Sequence, residues 1–370
     1  MADRQEAPRL HHGPTGPARG DGFLGDRRVS PEDRTAHPLR IARIRPVTAD
    51  AVTVTFDDPG HVVGGSAGWY VIVRVMLEGE EHRRAFSLSS TPELAQPPAI
   101  TVKRHPGGVV SRHLVERARE GDVVDVEPAA AGGFDVGIGA GRRRTLYCFA
   151  AGSGIAPIVG VIRGVLALEG GSVVHLLYGN RAPRDAISAG ELATMAADHA
   201  DRFRLSCLFS SRGARIDHRA VDQFLTSRPP TTADVWYLIC GPQGMNRTVE
   251  ARLRSLGASD DRLLVERYQP PHREGAPVPY EGALVRLQDH DCGGRAAAGD
   301  VLLDALGGPS SPLHYACRSG VCGTCRALLV NGEVDPGVPF ALTEAEQAAG
   351  VVLTCVARPL SAEVVLRSLP

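Results

Sequence analysis

Cys317-Arg-Ser-Gly-Val-Cys322-Gly-Thr-Cys325 stands near the C-terminus, and a fourth cysteine, Cys355, follows in Leu-Thr-Cys-Val. Four residues separate the first pair and two the second, which is the plant-type spacing for a [2Fe-2S] cluster. A cluster needs four thiolates in a small volume, so the loop carrying three of them must wrap tightly. Gly320 and Gly323 allow that wrapping, because glycine reaches backbone conformations closed to other residues. The competing readings are a structural zinc site or buried thiols. Zinc usually takes two separated C-x-x-C pairs, so the spacing favours a cluster on Cys317, Cys322, Cys325 and Cys355. Such a centre handles single electrons, and the remaining segments are expected to supply them.

A chain of 370 residues exceeds one ordinary core and suggests two or three domains. A formal charge of −1 and 43% hydrophobic residues suit a soluble protein and give no sign of a nucleic-acid or membrane partner. Besides the four clustered cysteines, Cys148, Cys207, Cys240 and Cys292 are scattered through apolar segments, which argues against a disulfide framework and for a reducing cytoplasm. Leu146 to Ile162 carries no charge, yet Gly152, Ser153, Gly154 and Pro157 interrupt it. A buried strand feeding a turn and a helix explains it better than a membrane span. The N-terminus offers no apolar signal core.

Residues 1–36 lack an apolar period and read as a disordered tail. Six short alternating segments follow, at Leu39 to Ile44, Ala51 to Phe56, Trp69 to Met76, Arg84 to Ser89, Ala99 to Lys103 and Val123 to Glu127. With one helical stretch from Ser111 to Arg119, they predict a small antiparallel six-stranded β-barrel over 37–141. From 142 to 268 the rhythm is strand, helix, strand, which predicts an α/β parallel sheet that binds a nucleotide at the strand C-termini. Ser188 with Glu191 is expected to form a capping box, as is Thr343 with Glu346, and Asp300 to cap a further helix. Gln269 to Tyr280 reads as a Pro-rich linker. Residues 281–370 mix short strands with two short helices. The basic run Arg142 to Arg144 is expected to be a solvated domain junction.

Several segments could hold cofactors. Arg84-Ala-Phe86-Ser87 offers a cation, a ring and a hydroxyl at a strand end, as a flavin requires, although an ordinary half-buried strand would look the same. Lys103-Arg104 precede Gly107-Gly108-Val109-Val110-Ser111 at a helix start, a place for a pyrophosphate or for a plain turn. Ala151-Gly152-Ser153-Gly154-Ile155-Ala156-Pro157 lies between strand and helix, with glycines that let a backbone approach phosphates. Proline replaces the third glycine of the Rossmann pattern, so alone it is a weak signal. Cys240-Gly241-Pro242-Gln-Gly244-Met245 occupies a second strand-to-helix turn.

Taken together and in this order, these segments resemble the ferredoxin-NADP reductase superfamily, specifically oxygenase reductases with a C-terminal plant-type ferredoxin domain. Within it, the chain is similar to the reductases of phenylacetyl-CoA epoxidase and 3-ketosteroid 9α-hydroxylase. The resemblance covers residues 37–370. It implies an FAD-binding barrel, a NAD(P)-binding domain and an α+β β-grasp ferredoxin domain. It implies that Arg84, Phe86 and Ser87 match the flavin motif R-x-Y-S, with Phe86 where tyrosine is usual, and that Ser87 lies near flavin N5. Lys103 and Gly108, Val109 and Ser111 would serve the FAD pyrophosphate. Gly152, Gly154 and Pro157 would serve the pyridine nucleotide, and Cys240 would lie beside the nicotinamide. Glu266-Arg-Tyr268 matches a Glu-x-aromatic ending in which the ring shields the flavin. Ser211-Arg212, assisted by Arg181 or Arg215, resembles the pair that holds the 2′-phosphate, which favours NADPH over NADH. The implied activity is transfer of electrons from NAD(P)H through FAD and the cluster to a terminal oxygenase, leaving near Arg318 and Ser319. A free-standing oxidoreductase for quinones and a non-catalytic metal scaffold are the alternatives.

Overall fold

The computed structural model describes residues 36–105, 108–130, 134–268, 277–297, 299–315, 318, 320, 323–337, 339, 342 and 344–369. The expected N-terminal tail, most of the Pro-rich linker, Cys317, Cys322 and Thr343 lie outside the described residues. The chain divides into two compact units: the first runs to Val73 and resumes over Phe86–Arg267, and the second joins Arg74–Ala85 to the chain from Tyr268 onward.

Strands β1 (His37–Thr48), β2 (Ala51–Asp57), β3 (Tyr70–Leu77), β4 (Glu80–Ser87), β5 (Ala99–Lys103) and β6 (Val123–Ala130) form one sheet, ordered β4-β3-β6-β1-β2-β5. β1 pairs antiparallel with β2 and β6, and β2 with β5. The alternation read from the sequence is present: in β2, Val52, Val54 and Phe56 are buried while Thr53 and Thr55 are half-buried. A bridge from Leu88, just past β4, reaches Ile100 in β5. β4 begins at Glu80 rather than Arg84. The cause is local: Glu78 and Gly79 both have positive φ, 55° and 85°, the geometry of a tight two-residue hairpin turn. The expected helix opens two residues early as α1 (Val109–Arg112), with Gly108 at the N-cap position, and continues as a π turn over His113–Arg117.

In the parallel sheet, β7 (Thr145–Ala151), β8 (Val173–Asn180), β9 (Phe203–Phe209), β10 (Val235–Cys240) and β11 (Leu263–Glu266) take the order β11-β10-β7-β8-β9. α2 (Ile155–Leu168), α3 (Ala189–Asp198), α4 (His218–Thr226) and α5 (Gln243–Ser255) connect them. The central β7 is buried along almost its whole length, as a strand covered on both faces must be. The uncharged run from Leu146 is this strand and α2. Among the described residues no helix is long and apolar enough to cross a membrane.

Two expectations fail here. Ser188 precedes α3 with φ 57° and makes no capping bond, because an N-cap needs extended backbone. Glu191 instead accepts a hydrogen bond from Arg163 Nε at 2.9 Å. The basic run is only partly solvated. Arg142 and Arg143 are exposed, but Arg144 has no solvent-accessible surface, and its Nε and Nη2 fork onto Glu169 at 3.0 and 2.6 Å.

In the second unit, β12 (Leu284–Leu287), β13 (Cys292–Arg295), β14 (Arg326–Asn331), β16 (Val351–Leu353) and β18 (Glu363–Ser368) form a mixed sheet ordered β13-β12-β18-β14-β16. β12 and β18 run parallel and the other pairs antiparallel. β15 (Val334–Asp335) pairs with β17 (Arg358–Pro359). α6 (Leu302–Ala305) packs Leu302 and Ala305 against Val285, Leu287, Ala327, Val364 and Leu366. Asp300 does not cap α6. Val301 holds that position, and Asp300 accepts from the Ala297 amide at 2.8 Å. Before α7 (Glu344–Ala348), the second capping box has Thr343 outside the described residues, while Glu346 accepts from Arg326 Nε at 3.2 Å.

Candidate active site

Strand order in the parallel sheet reverses between β7 and β10, and a crevice opens at such a switch point beyond the strand C-termini. Register sets Cys240 beside Ala150 on one side and beside Glu266 on the other. Gly152 has φ 55° and no atom within 4 Å of where a Cβ would stand, so its backbone faces open space. Its carbonyl accepts from the Tyr178 hydroxyl at 3.0 Å. At Gly154 a Cβ would lie 2.0 Å from the Cys240 carbonyl oxygen, so only glycine lets the two turns meet. Pro157 sits in the first turn of α2, where its missing N–H costs nothing.

Ser87 at the end of β4 donates from Oγ to Glu266 Oε1 at 2.5 Å, a contact across 179 residues of sequence. Burial pushes the Glu266 carboxyl up to about 7, partly offset by the Ser87 hydrogen bond. Glu266 is half-buried as a residue, yet its Oε2 is sequestered without a hydrogen-bond partner. Asn246 on α5 donates from Nδ2 to the Glu266 carbonyl at 3.1 Å, and its own Oδ1 is also unpartnered. The chain after Ser87 is fastened to α2. Thr91 Oγ1 donates to the Gly160 carbonyl at 2.9 Å, and Arg163 Nη1 donates to Thr91 Oγ1 and to the Ser89 carbonyl at 2.7 and 3.2 Å.

The site residues expected from the sequence therefore fall into groups. Ser87, Gly154, Cys240 and Glu266 converge through the contacts above. Arg181, Ser211 and Arg212 form a second, exposed group beyond β8 and β9, where the Ser211 amide donates to the Arg181 carbonyl at 2.9 Å. Arg215 nearby is also exposed. A third group lines the β5–α1 turn. There Lys103 pairs with Asp50 at 3.4 Å, the Ser111 hydroxyl accepts from the His105 amide at 3.2 Å, and Val109 is exposed next to Gly108. Arg84 and Phe86 are half-buried, with Arg84 Nη1 donating to the Arg83 carbonyl at 2.7 Å, and Tyr268 is 42% exposed. Sequence reading missed Arg163, Asn246 and the Arg144–Glu169 pair. For Arg163 there was a signal: one charge directly after an uncharged run, on a helix whose other faces are apolar.

In the second unit Cys325 and Cys355 are both buried, in one apolar group with Leu303, Tyr315, Leu342 and Leu353. Thr354 holds their backbones together, since its N–H and hydroxyl donate to the Cys325 carbonyl at 3.1 and 3.2 Å. Arg318, Gly320 and Gly323 have φ of 51°, 74° and 71°, the left-handed turns that a tightly wrapped loop needs. Two buried thiols in one apolar group fit a thiolate-held cluster. The open backbone at Gly152 and the unpartnered Glu266 oxygen fit a nucleotide and a flavin ring.

Comparison with known proteins agrees with this geometry. Three family profiles match in order: an oxidoreductase FAD-binding domain over residues 38–133, an oxidoreductase NAD-binding domain over 149–251 and a 2Fe-2S iron-sulfur cluster binding domain over 291–360. One component protein of the 1,2-phenylacetyl-CoA epoxidase of Escherichia coli K12 is 30% identical over 351 residues, covering 90% of this chain and 97% of that protein. This chain belongs to the ferredoxin-NADP reductase superfamily. The ferredoxin reductase component of 3-ketosteroid-9-alpha-monooxygenase from Mycolicibacterium smegmatis is 28% identical, covering 87% of this chain and 94% of its own. In fold, the reductase also resembles phthalate dioxygenase reductase, with a TM-score of 0.63, 24% identity and coverage of 91% and 99%. It is an NAD(P)H oxidoreductase that transfers electrons by way of FAD and a [2Fe-2S] cluster.

Proposed function

We propose that this reductase serves a terminal oxygenase or hydroxylase, drawing electrons from NADPH in preference to NADH. The observation that carries the internal route is the Ser87–Glu266 hydrogen bond, which joins the end of the flavin motif to the switch point of the nucleotide sheet. Two relatives of nearly the same length, the epoxidase and monooxygenase components named above, support the acceptor class. On this reading residues 37–141 form a closed FAD-binding barrel, 142–268 the nucleotide domain and 281–370 the ferredoxin domain, in a protein of the cytoplasm.

A flavin held here would supply the chemistry that accepts one hydride, a pair of electrons, and lets them go singly to a cluster. Arg84, Phe86 and Ser87 hold the ring, and Lys103, Gly108, Val109 and Ser111 lie along the pyrophosphate. Gly152, Gly154 and Pro157 would bring backbone close to the nucleotide phosphates, and Cys240 would serve the nicotinamide. Glu266 titrates near neutrality, so it can hold or release a proton at the Ser87 hydroxyl. Tyr268 would supply the aromatic ring that shields a bound flavin. Arg181, Ser211 and Arg212 meet the 2′-phosphate, and Cys317, Cys322, Cys325 and Cys355 bind the two irons.

The test is a Cys322→Ser variant followed anaerobically by visible and paramagnetic spectra. Flavin reduction by NADPH should survive, and reduction of a cytochrome acceptor should disappear. Fast turnover with quinones that needs no partner protein and ignores the substitution would replace this reading with a free-standing oxidoreductase.

A further inference from the structure

Two guanidinium groups bear on one aromatic ring beside the cluster cysteines. Tyr315 is 4% exposed, shares its apolar group with Cys325 and Cys355, and stands two residues before Cys317. The guanidinium carbon of Arg83 lies 5.4 Å from the centroid of this ring, and that of Arg318 lies 5.6 Å from it. Both are within the range of cation–π attraction, which strengthens as the cation loses water. Arg318 belongs to the cluster loop itself and is also tied to Asp304 of α6. Arg83 comes from much earlier in the chain. It lies on β4, in the β3–β4 hairpin that groups with the second unit, and it is the more enclosed cation, with 14% of its side chain exposed. Its Nε donates to Glu81 at 2.5 Å, which fixes the guanidinium plane. In sequence Arg83 directly precedes Arg84, so one strand carries both the flavin motif and the contact with Tyr315.

We propose that Arg83 is a positioning residue for the passage of electrons into the cluster. Through Tyr315 it seats the β3–β4 hairpin next to the apolar group that holds Cys325 and Cys355, and its charge favours the reduced state. The step is the transfer of one electron from reduced flavin to oxidised cluster. The cluster gains one negative charge, and no bond to Tyr315 or Arg83 forms or breaks. Arg83 balances the charge of Glu81, so its loss would leave a bare carboxylate whose field opposes the gain of negative charge. The inference concerns the internal step and holds whichever protein finally accepts the electron.

The experiment compares wild type with Arg83→Gln, Arg83→Lys and Tyr315→Phe, in preparations matched for flavin and iron content. In R83Q the cluster midpoint potential should shift to more negative values. Amide hydrogen exchange over Arg74–Ala85 should accelerate. The flavin-to-cluster phase in stopped flow should slow by about tenfold, as expected for the loss of a partly desolvated cation–π contact. Reduction of flavin by NADPH should keep its wild-type rate. R83K, which keeps the charge, should recover most of the potential, and Y315F, which keeps the ring, should match wild type. A wild-type potential and wild-type hairpin exchange in R83Q would overturn the proposal, and so would equal slowing of both kinetic phases.

Discussion

The switch point between β7 and β10 and the rim beyond β9 belong to one parallel sheet but are built in opposite ways. At the switch point, position is set by strand register and backbone contact: Ala150, Cys240 and Glu266 lie side by side, and Gly154 touches the Cys240 carbonyl with no room for a methyl group. At the rim, Arg181, Ser211 and Arg212 are exposed and are joined by a backbone hydrogen bond. On the function proposed above, the contrast separates two tasks. Where the rings would meet, an error of an ångström matters, and backbone packing guards against it. Where a phosphate tag would be read, side chains in water suffice, and they can be exchanged without disturbing the sheet.

That contrast breaks most readily at Gly154. In Gly154→Ala the new methyl group meets a backbone oxygen, so α2 must shift. NADPH should then reduce the flavin at least about 100-fold more slowly in stopped flow, the usual penalty for misplacing reacting groups. An unchanged rate would show that the switch point is as tolerant as the rim.

Glu266 gives the next largest effect. Its folded value of about 7 lies above the ordinary 4.5, so the folded protein binds this proton more tightly than the unfolded chain does. The associated stability is complete below 4.5 and is lost as pH rises through 7. Glu266→Gln cannot ionise, so in flavin-free protein it should gain about 3 kcal/mol over wild type near pH 8 and nothing near pH 4. Urea unfolding at the two pH values measures this difference. A gain that does not vary with pH would mean that the carboxyl is not desolvated.

The smallest effect belongs to the rim. Arg212→Ala should raise the KM for NADPH by about tenfold, the loss of a single charged hydrogen bond in a solvated setting, and leave the KM for NADH as it was. Equal changes with both nucleotides would remove the phosphate from this group.

Much of this was legible in the sequence because the signals are local. Thiol spacing, the alternation of Val52, Val54 and Phe56 with threonines, and the glycines between strand and helix each depend on neighbours a few residues away. What escaped depends on partners far along the chain or on backbone angle. Ser188 and Glu191 have the spacing of a capping box, but the left-handed turn at Ser188 prevents it, and Arg163 claims the glutamate instead. Arg144 looked solvated among three arginines, since nothing near it in sequence announces Glu169. Ser87 and Glu266 were each expected to matter, but their mutual hydrogen bond has no local signature.

The buried Arg144–Glu169 pair also bears on how the enzyme moves. Arg144 Nη1 donates to the Val136 carbonyl at 2.7 Å, and Glu169 Oε1 accepts from the Gly139 amide at 3.4 Å, so the connector that leaves the first sheet is pinned at two points to the start of the second. Moving that connector away would break one hydrogen bond to each member of the buried pair, while the pair itself would stay joined.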